Sequence, residues 1–90
     1  MYQFTPFKTS QVAVTGTATQ VVAANNSRSG IALTNLGTTD VYYGENNTVT
    51  TSTGDILVGT KGAVKAFATT GAVWAITSGA SQTITVLETL

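Results

Sequence analysis

Residues 71–88 read GAVWAITSGASQTITVLE, and this stretch contains the clearest strand patterns in the sequence. Both of its ends are rich in β-branched residues, whose side chains fit the pleated backbone of a strand. The residues between them, SGAS at 78–81, are small and typical of a turn. We therefore expect strands at residues 72–77 and 82–88 that pair with each other as a β-hairpin.

Similar short runs recur upstream at intervals of about ten residues, with Gly or Asn between them. They lie at 11–15, 19–23, 31–36, 41–44, 56–58 and 61–67. Threonine makes up about a fifth of the chain, and strong helix formers other than alanine are few. The sequence therefore predicts an all-β fold, an antiparallel β-sandwich or jelly-roll-like small barrel of about seven or eight short strands.

Two internal segments are less regular. Residues 45–54 are the most polar part of the chain, and we expect a long loop there with at most a short edge strand. In the run 61–67, the two-residue period of a strand places Lys65 and Phe67 on one face and Val64 on the other. We expect the face that carries the lysines to be the one exposed to solvent.

Ninety residues are enough for a single domain with a thin core. The chain has no cysteine and no histidine, which excludes disulfides, thiolate chemistry, the usual zinc sites and histidine acid–base catalysis. Small domains without such support often gain stability by assembling with copies of themselves or with a larger partner.

Charged side chains make up only 9% of the sequence, and their net charge is zero. The basic residues are Lys8, Arg28, Lys61 and Lys65, and the acidic residues are Asp40, Glu45, Asp55 and Glu88. Scattered cations of this kind form no stripe that could neutralise several phosphates, so we expect no binding to nucleic acid. The same scatter argues against binding to an anionic membrane.

No hydrophobic run approaches the length of about 20 residues that a membrane-spanning helix needs. The first residues also lack the basic and apolar regions of a signal peptide. We expect a protein that is not exported through the secretion pathway.

The carboxylates offer little for catalysis or metal binding. Asp40 and Glu45 flank one predicted strand, but a thin sandwich leaves little room for a pocket, and we expect no catalytic residues. Asp40, Glu45, Asn46, Asn47 and Asp55 are oxygen-bearing loop residues of the kind that calcium prefers. Their spacing matches no EF-hand loop, so we interpret them as solvated turn residues and expect no metal and no cofactor.

Three aromatic residues in the body of the chain are candidates for the core or for a seam between subunits. Trp74 is flanked by apolar residues and supplies a large ring that a thin core needs. Tyr42 and Tyr43 are consecutive, so in a strand they point to opposite faces. One of them is expected inside the domain, and the other faces water or a partner.

The first eight residues, MYQFTPFK, contain three of the seven aromatic residues and the only proline. Pro6 cannot donate a ladder hydrogen bond, so this segment is not a central strand. We interpret residues 1–9 as an extended N-terminal arm and residues 10–90 as a single β-sandwich domain. The rings of Tyr2, Phe4 and Phe7 pack either on this domain's own flank or on a neighbouring molecule, and we favour the neighbour.

Two stretches of the body carry a resemblance to a known family. They are VAVTGTATQVVAANNSRSGIALTNLGTTDVYYG at 12–44 and GAVWAITSGASQTITVLET at 71–89. The sequence resembles the small Thr/Ala/Gly-rich β-sandwich proteins encoded among the virion structural genes of tailed bacteriophages. This resemblance implies a protein that decorates or cements a phage head, commonly as a trimer where capsomers meet, or else a small module of a tail or fibre.

The leading hypothesis is a non-enzymatic decoration protein, made in the host bacterial cytoplasm and located on the capsid surface. It would bind the major capsid protein through Tyr2, Phe4, Pro6 and Phe7 and associate as a homotrimer. The alternative is a carbohydrate-binding or host-recognition module of a tail or fibre, with Tyr42 or Tyr43 and the loop 45–54 as its binding face. A spacer domain in a larger tail assembly is a third option.

Overall fold

The computed structural model describes residues 6–90, and eight β-strands form within that range. They are β1 (Phe7–Val14), β2 (Thr19–Val22), β3 (Gly30–Asn35), β4 (Val41–Gly44), β5 (Asp55–Leu57), β6 (Val64–Phe67), β7 (Val73–Ile76) and β8 (Gln82–Thr89). The same range contains no helix that is long and apolar enough to cross a lipid bilayer.

The strands form two four-stranded sheets. Sheet A has the order β1-β8-β3-β6 and sheet B the order β2-β7-β4-β5, and every pairing is antiparallel. Only β4 and β5 are neighbours both along the chain and in a sheet; outside this hairpin β3 pairs with β6, β2 with β7 and β1 with β8. These nested pairs define a jelly-roll topology. The antiparallel β-sandwich predicted from the sequence is confirmed.

The predicted hairpin between the strands at 72–77 and 82–88 is wrong. Both strands exist, but β7 lies in sheet B and β8 in sheet A. The backbone N–H of Thr77 donates to the carbonyl of Thr15 at 2.8 Å, so the end of β7 is bonded to the segment before β2. Residues 78–81 therefore cross from one sheet to the other, with Gly79 at a φ of 145° in a conformation that favours glycine.

The core lies between the sheets and follows the strand alternation. Val41 and Ala75 from sheet B are fully buried against Leu33, Ile84 and Val14 from sheet A. Burying one such Val, Leu or Ile side chain stabilises the fold by about 1.5–3 kcal/mol. With so few large side chains available, the core is thin, as the chain length predicts.

Three inward-facing rows end in a buried polar residue. Ile31 and Leu33 are followed two positions on by Asn35, which is fully buried. The amide nitrogen of Asn35 donates to the carbonyls of Thr39 at 2.9 Å and Val58 at 3.1 Å. In the same way, the inward row of β7 continues to Thr77 and that of β8 ends at Glu88. Asn35 and Thr77 donate to loop carbonyls, whereas Glu88 accepts a hydrogen bond from the guanidinium of Arg28.

The expectation for the run 61–67 is wrong in its choice of face. Lys65 is paired with Leu33 and Phe67 with Ile31, so the lysine-bearing face is the one that points toward sheet B. Phe67 packs against the core, whereas Val64 on the other face is 55% exposed. Lys65 is itself exposed because β6 is an edge strand.

Strand β1 begins at Phe7, earlier than the sequence predicts. All of its residues from Phe7 to Val14 pair with β8, from Thr89 to Gln82, without a register shift. Residues 7–9 of the predicted arm are therefore part of the sheet, because β8 supplies paired backbone up to Thr89. In residues 45–54 no strand forms, in agreement with the predicted loop.

Candidate functional site

The predicted contact residues at the start of the chain lie only partly within the described range. Tyr2 and Phe4 lie outside the described residues. Pro6 is exposed, and its carbonyl accepts a hydrogen bond from the backbone N–H of Leu90 at 2.7 Å. Phe7 is 66% exposed. It pairs with Thr89 at the edge of sheet A, so its ring stands on the outer face of that sheet.

The three body aromatics divide between the two faces of sheet B. Tyr43 is buried and belongs to the core, while Tyr42 and Trp74 are half-buried and lie on the outer face. Trp74 is therefore not a core residue. It follows Val73, which is buried, so strand alternation turns its ring away from sheet A.

Apolar side chains cover much of this outer face of sheet B. Ile76 pairs with Tyr42, which pairs on its other side with Ile56, so the three form one row across β7, β4 and β5. Trp74 lies two residues from Ile76 on the same strand and the same face. We call Tyr42, Ile56, Trp74 and Ile76 the apolar face. Each is half-buried within the single chain.

A cleft of about 270 Å³ opens beside β4 and is lined by Tyr43, Glu45, Asp55, Phe67 and Thr69, among others. The rings of Tyr43 and Phe67 are stacked, with centroids 5.5 Å apart and planes 9° from parallel. Since Tyr43 belongs to sheet B and Phe67 to sheet A, this stack joins the two sheets at the cleft.

The hydroxyl of Tyr43 donates a hydrogen bond to Asp55 Oδ2 at 2.9 Å. Burial, followed by this hydrogen bond and the charge of Asp55, raises the pKa of Tyr43 from 10.0 to about 12. The same hydrogen bond, together with one from the backbone N–H of Ile56 and the charge of Lys65, lowers the pKa of the exposed Asp55. The pair is therefore a neutral phenol on an ionised carboxylate at neutral pH.

A second cleft, of about 360 Å³, lies in the loop 45–54 and is lined by Glu45, Asn46, Thr48, Val49 and Thr53 with Gly44. Asn46 Oδ1 accepts the backbone N–H of Thr48 at 3.0 Å, which fixes a turn in the loop. Val49 is buried beneath it. Glu45 lines both clefts, so they adjoin each other at this residue.

The structure contains a buried ion pair between Arg28 and Glu88 that the sequence analysis did not predict. Arg28 is 3% exposed and Glu88 6%, and Arg28 Nη1 lies 2.9 Å from Glu88 Oε2. The guanidinium also donates to the carbonyls of Ala23 at 3.0 Å, Thr69 at 2.8 Å and Gly71. We call this cluster the arginine centre. It joins the end of β8 to the loop 69–71, whose Thr69 lines the cleft beside Tyr43.

A signal for this centre was present in the sequence. Ile84, Val86 and Glu88 share one face of β8, and the first two are apolar, so the pattern places the carboxylate of Glu88 on the inward face. A buried carboxylate requires a cation or hydrogen-bond donors. The sequence contains only four cations, but nothing in the polar loop around Arg28 singled it out as the partner.

The oxygen-bearing loop residues considered for calcium all lie in the range 6–90. Within that range no three acidic side chains come together as a metal site. Asp40 Oδ1 accepts the backbone N–H of Gly59 at 2.6 Å, and Asp55 is bonded to Tyr43. These carboxylates therefore act as local hydrogen-bond acceptors.

No family model and no curated protein matches the sequence. Among solved structures, the chain is similar to one described as belonging to Bacillus endospore appendages, a family of disulfide-linked pili. The match has 17% identity and a TM-score of 0.43, and it covers 98% of this chain and 92% of the other. A likeness of this strength carries no conclusion about function.

Proposed function

We propose that this chain is a non-enzymatic structural protein of a bacteriophage virion that decorates the capsid by binding the major capsid protein. The sequence resemblance described above supports this assignment. The structure adds a small antiparallel β-sandwich, which is the fold that this resemblance implies.

The observation that carries the proposal is the exposed ring of Phe7. A phenylalanine that is 66% exposed leaves much of its apolar area in water. Fully burying a side chain of this size contributes about 1.5–3 kcal/mol. Phe7 directly follows Pro6, and residues 1–5 contain two further aromatic residues, Tyr2 and Phe4. Docking of this segment on a capsid subunit would bury that apolar surface, and many symmetric copies would add their affinities.

Attachment to undecorated phage heads tests this function. Phe7→Ser should weaken attachment by at least about tenfold, since about 1.4 kcal/mol corresponds to that factor. Removal of residues 1–5 should weaken it as well. Val64→Ser is the matched control, because Val64 is 55% exposed on the same face at the opposite edge of sheet A. If Phe7→Ser and the truncated chain attach as well as the parent, while circular dichroism shows an intact β fold, the proposal is wrong.

We further propose that copies associate as a homotrimer, as the resemblance implies, through the apolar face of sheet B. A half-buried Trp beside Ile76 and Tyr42 is typical of the aromatic centre of a subunit interface. Trp74→Lys should reduce the mass of the assembly in solution threefold. Thr34→Lys, on the outer face of sheet A, should leave it unchanged.

The clefts favour a second candidate, a carbohydrate-binding module of a tail or fibre. Carboxylates beside an aromatic floor, as with Glu45, Asp55 and Phe67, suit the hydroxyls and the apolar face of a sugar ring. Binding on a glycan array that is lost in Glu45→Gln and kept in Asp40→Asn would support it, since Asp40 caps Gly59 away from the clefts. Absence of glycan binding, together with attachment to heads, would reject it.

A further inference from the structure

The four edge strands of the sandwich differ greatly in how well they are protected from pairing with another strand. The edges are β1 and β6 in sheet A, and β2 and β5 in sheet B. Strand β5 has only three residues, and β2 has four with a register shift between Gln20 and Val22. Strand β6 also has four, one of them the exposed Lys65. Short length, bulges and lysines are the devices that keep sheet edges from pairing.

Strand β1 is the least protected of the four edges on its free side. It has eight residues in unbroken register with β8, and no other strand of residues 6–90 pairs with it. Its single charged residue, Lys8, is drawn toward Glu88, with 3.4 Å between Lys8 Nζ and Glu88 Oε1. Such an edge presents a regular row of backbone donors and acceptors that a further strand can satisfy.

We infer that β1 is a pairing edge whose partner is β1 of a second copy of this chain, joined antiparallel about a two-fold axis at Ser10. The partner is a second copy because β1, with eight residues, is twice as long as either four-residue edge of the molecule and longer still than β5. Among these edges, only another β1 can therefore pair along its full length. Self-pairing of one surface patch is the usual form of a two-fold interface.

The position of the axis follows from the faces of the strand. The residues of β1 on the outer face of sheet A are Phe7, Thr9, Gln11 and Ala13. Residues that lie directly opposite one another share a face. The axis must therefore lie midway between the two copies of one residue, and not level with the bond between two successive residues. An axis at Ser10 places each Phe7 opposite Ala13 of the other copy, whose small side chain leaves the outward side of the ring accessible to a capsid subunit. An axis at Gln11 would leave Phe7 beyond the end of the opposing strand, which stops at Val14.

Electrostatics permits this register. With the axis at Ser10, Lys8 lies opposite Val12 and Thr9 opposite Gln11, so no like charges face each other. Thr9 and Gln11 are exposed in the single chain, which leaves them free to contact the second copy. The pairing would join two copies of sheet A into one eight-stranded antiparallel sheet.

The two-fold edge is separate from the proposed three-fold seam on the apolar face. Edge pairing alone gives a dimer, and the two contacts together give six chains with dihedral symmetry. In either case the assembly of the purified protein contains an even number of chains, so its mass is an even multiple of the 9.2 kDa of one chain. A mass of one or three copies would overturn the inference and would leave capsid attachment untouched, since that is measured on phage heads.

Charge substitutions at the axis identify the edge. Thr9→Lys combined with Gln11→Lys places lysines opposite each other twice across the axis, and it should halve the mass measured by light scattering. Thr9→Lys combined with Gln11→Glu alters the same exposed positions but places opposite charges in contact, so it should keep the parent mass. An unchanged mass in the first variant, or a halved mass in the second, would overturn pairing about Ser10.

Discussion

Glu88 and Asp55 are both carboxylates that accept a hydrogen bond from a partner side chain, yet they lie in opposite surroundings. Glu88 is 6% exposed and faces the buried guanidinium of Arg28, whereas Asp55 is exposed at the rim of a cleft and faces Tyr43. Burial makes the first pair expensive to break, because a charge left alone in the interior cannot be solvated. The second pair lies beside water, so breaking its hydrogen bond leaves the carboxylate of Asp55 solvated.

The two regions also share a loop. Arg28 binds the carbonyls of Thr69 and Gly71 from inside, while Thr69 lines the cleft on the side of Tyr43 and Asp55. The arginine centre therefore supports one wall of the cleft. The rigid, water-excluded contact therefore fixes the scaffold, while the solvent-accessible contact is available to a ligand or to a change of pH.

The largest effect is expected from Glu88→Gln. It leaves the guanidinium of Arg28 buried without its counter-charge, and the free energy of unfolding should fall by about 3–5 kcal/mol. Urea denaturation measures this loss. A loss below that of an ordinary hydrogen bond, about 1 kcal/mol, would show that Arg28 does not depend on Glu88.

Arg28→Met, alone and together with Glu88→Gln, measures how strongly the two buried charges are coupled. The double variant removes both charges, so it should be less destabilised than the two single losses added together, with a coupling of about 0.5–3 kcal/mol. In both the single and the double variant, the carbonyls of Thr69 and Gly71 lose the hydrogen bonds that the guanidinium of Arg28 donates. Hydrogen exchange should therefore accelerate at the backbone N–H of Asn25, which donates to Thr70 at 2.8 Å, in the released loop. The N–H of Ile56, across the cleft, serves as the control.

Tyr43→Phe tests the hydrogen-bonded pair of Tyr43 and Asp55 through its dependence on pH. The folded pKa of Tyr43 is raised from 10.0 to about 12, so its stabilising contribution is complete below pH 10 and is lost as the pH rises toward 12. The folded pKa of Asp55 is lowered, so its contribution is present above its ordinary pKa and is lost as the pH falls through the folded value. Thermal melts of Tyr43→Phe should lack the parent's excess loss of stability in the alkaline range. Identical alkaline profiles would contradict this.

The smallest effect is expected from Lys8→Ala. Its ammonium lies 3.4 Å from Glu88, but its side chain is 63% exposed. A solvated ion pair of this kind contributes about 0–1 kcal/mol. Urea denaturation should therefore give Lys8→Ala a free energy of unfolding close to that of the parent. Its loss of stability should be far smaller than that of Glu88→Gln. A loss of stability as large as that of Glu88→Gln would contradict this expectation. It would mean that the ion pair of Glu88 with Lys8 contributes as much as its ion pair with Arg28.

Local patterns in the sequence were sufficient to predict strands and fold class but not strand partners. The β-branched runs ending at Thr77 and Glu88 are strands because side-chain sterics act locally. Their partners depend on contacts distant in sequence, and β8 pairs with β1 and β3 although β7 directly precedes it. The face of β6 was misassigned for a related reason: its register with Ile31 and Leu33 sets which side points toward sheet B, and Lys65 stays solvated there because β6 is an edge strand.

The candidate site was predictable to a smaller extent. Alternation in consecutive positions separated Tyr42 from Tyr43, but it did not indicate which one lies inside. Whether a ring is buried depends on how the sheets stack, which is why Trp74 lies on the outer face and Tyr43 is stacked on Phe67. Arg28 lies in a loop with no periodicity, so its burial follows only from the position of Glu88 in the folded chain.

The place of β8 between β1 and β3 has a consequence for how the molecule acquires its shape during synthesis. A nascent chain that has emerged only as far as residue 81 contains the other seven strands, but its β1 and β3 have no shared neighbour to hold them in one layer. Completion of that layer must wait for residues 82–89. Pairing β8 with β1 closes a loop that spans most of the polypeptide, and the entropy cost of this loop closure makes the step slow. Assembly of this domain is therefore expected to finish after its last strand has left the ribosome.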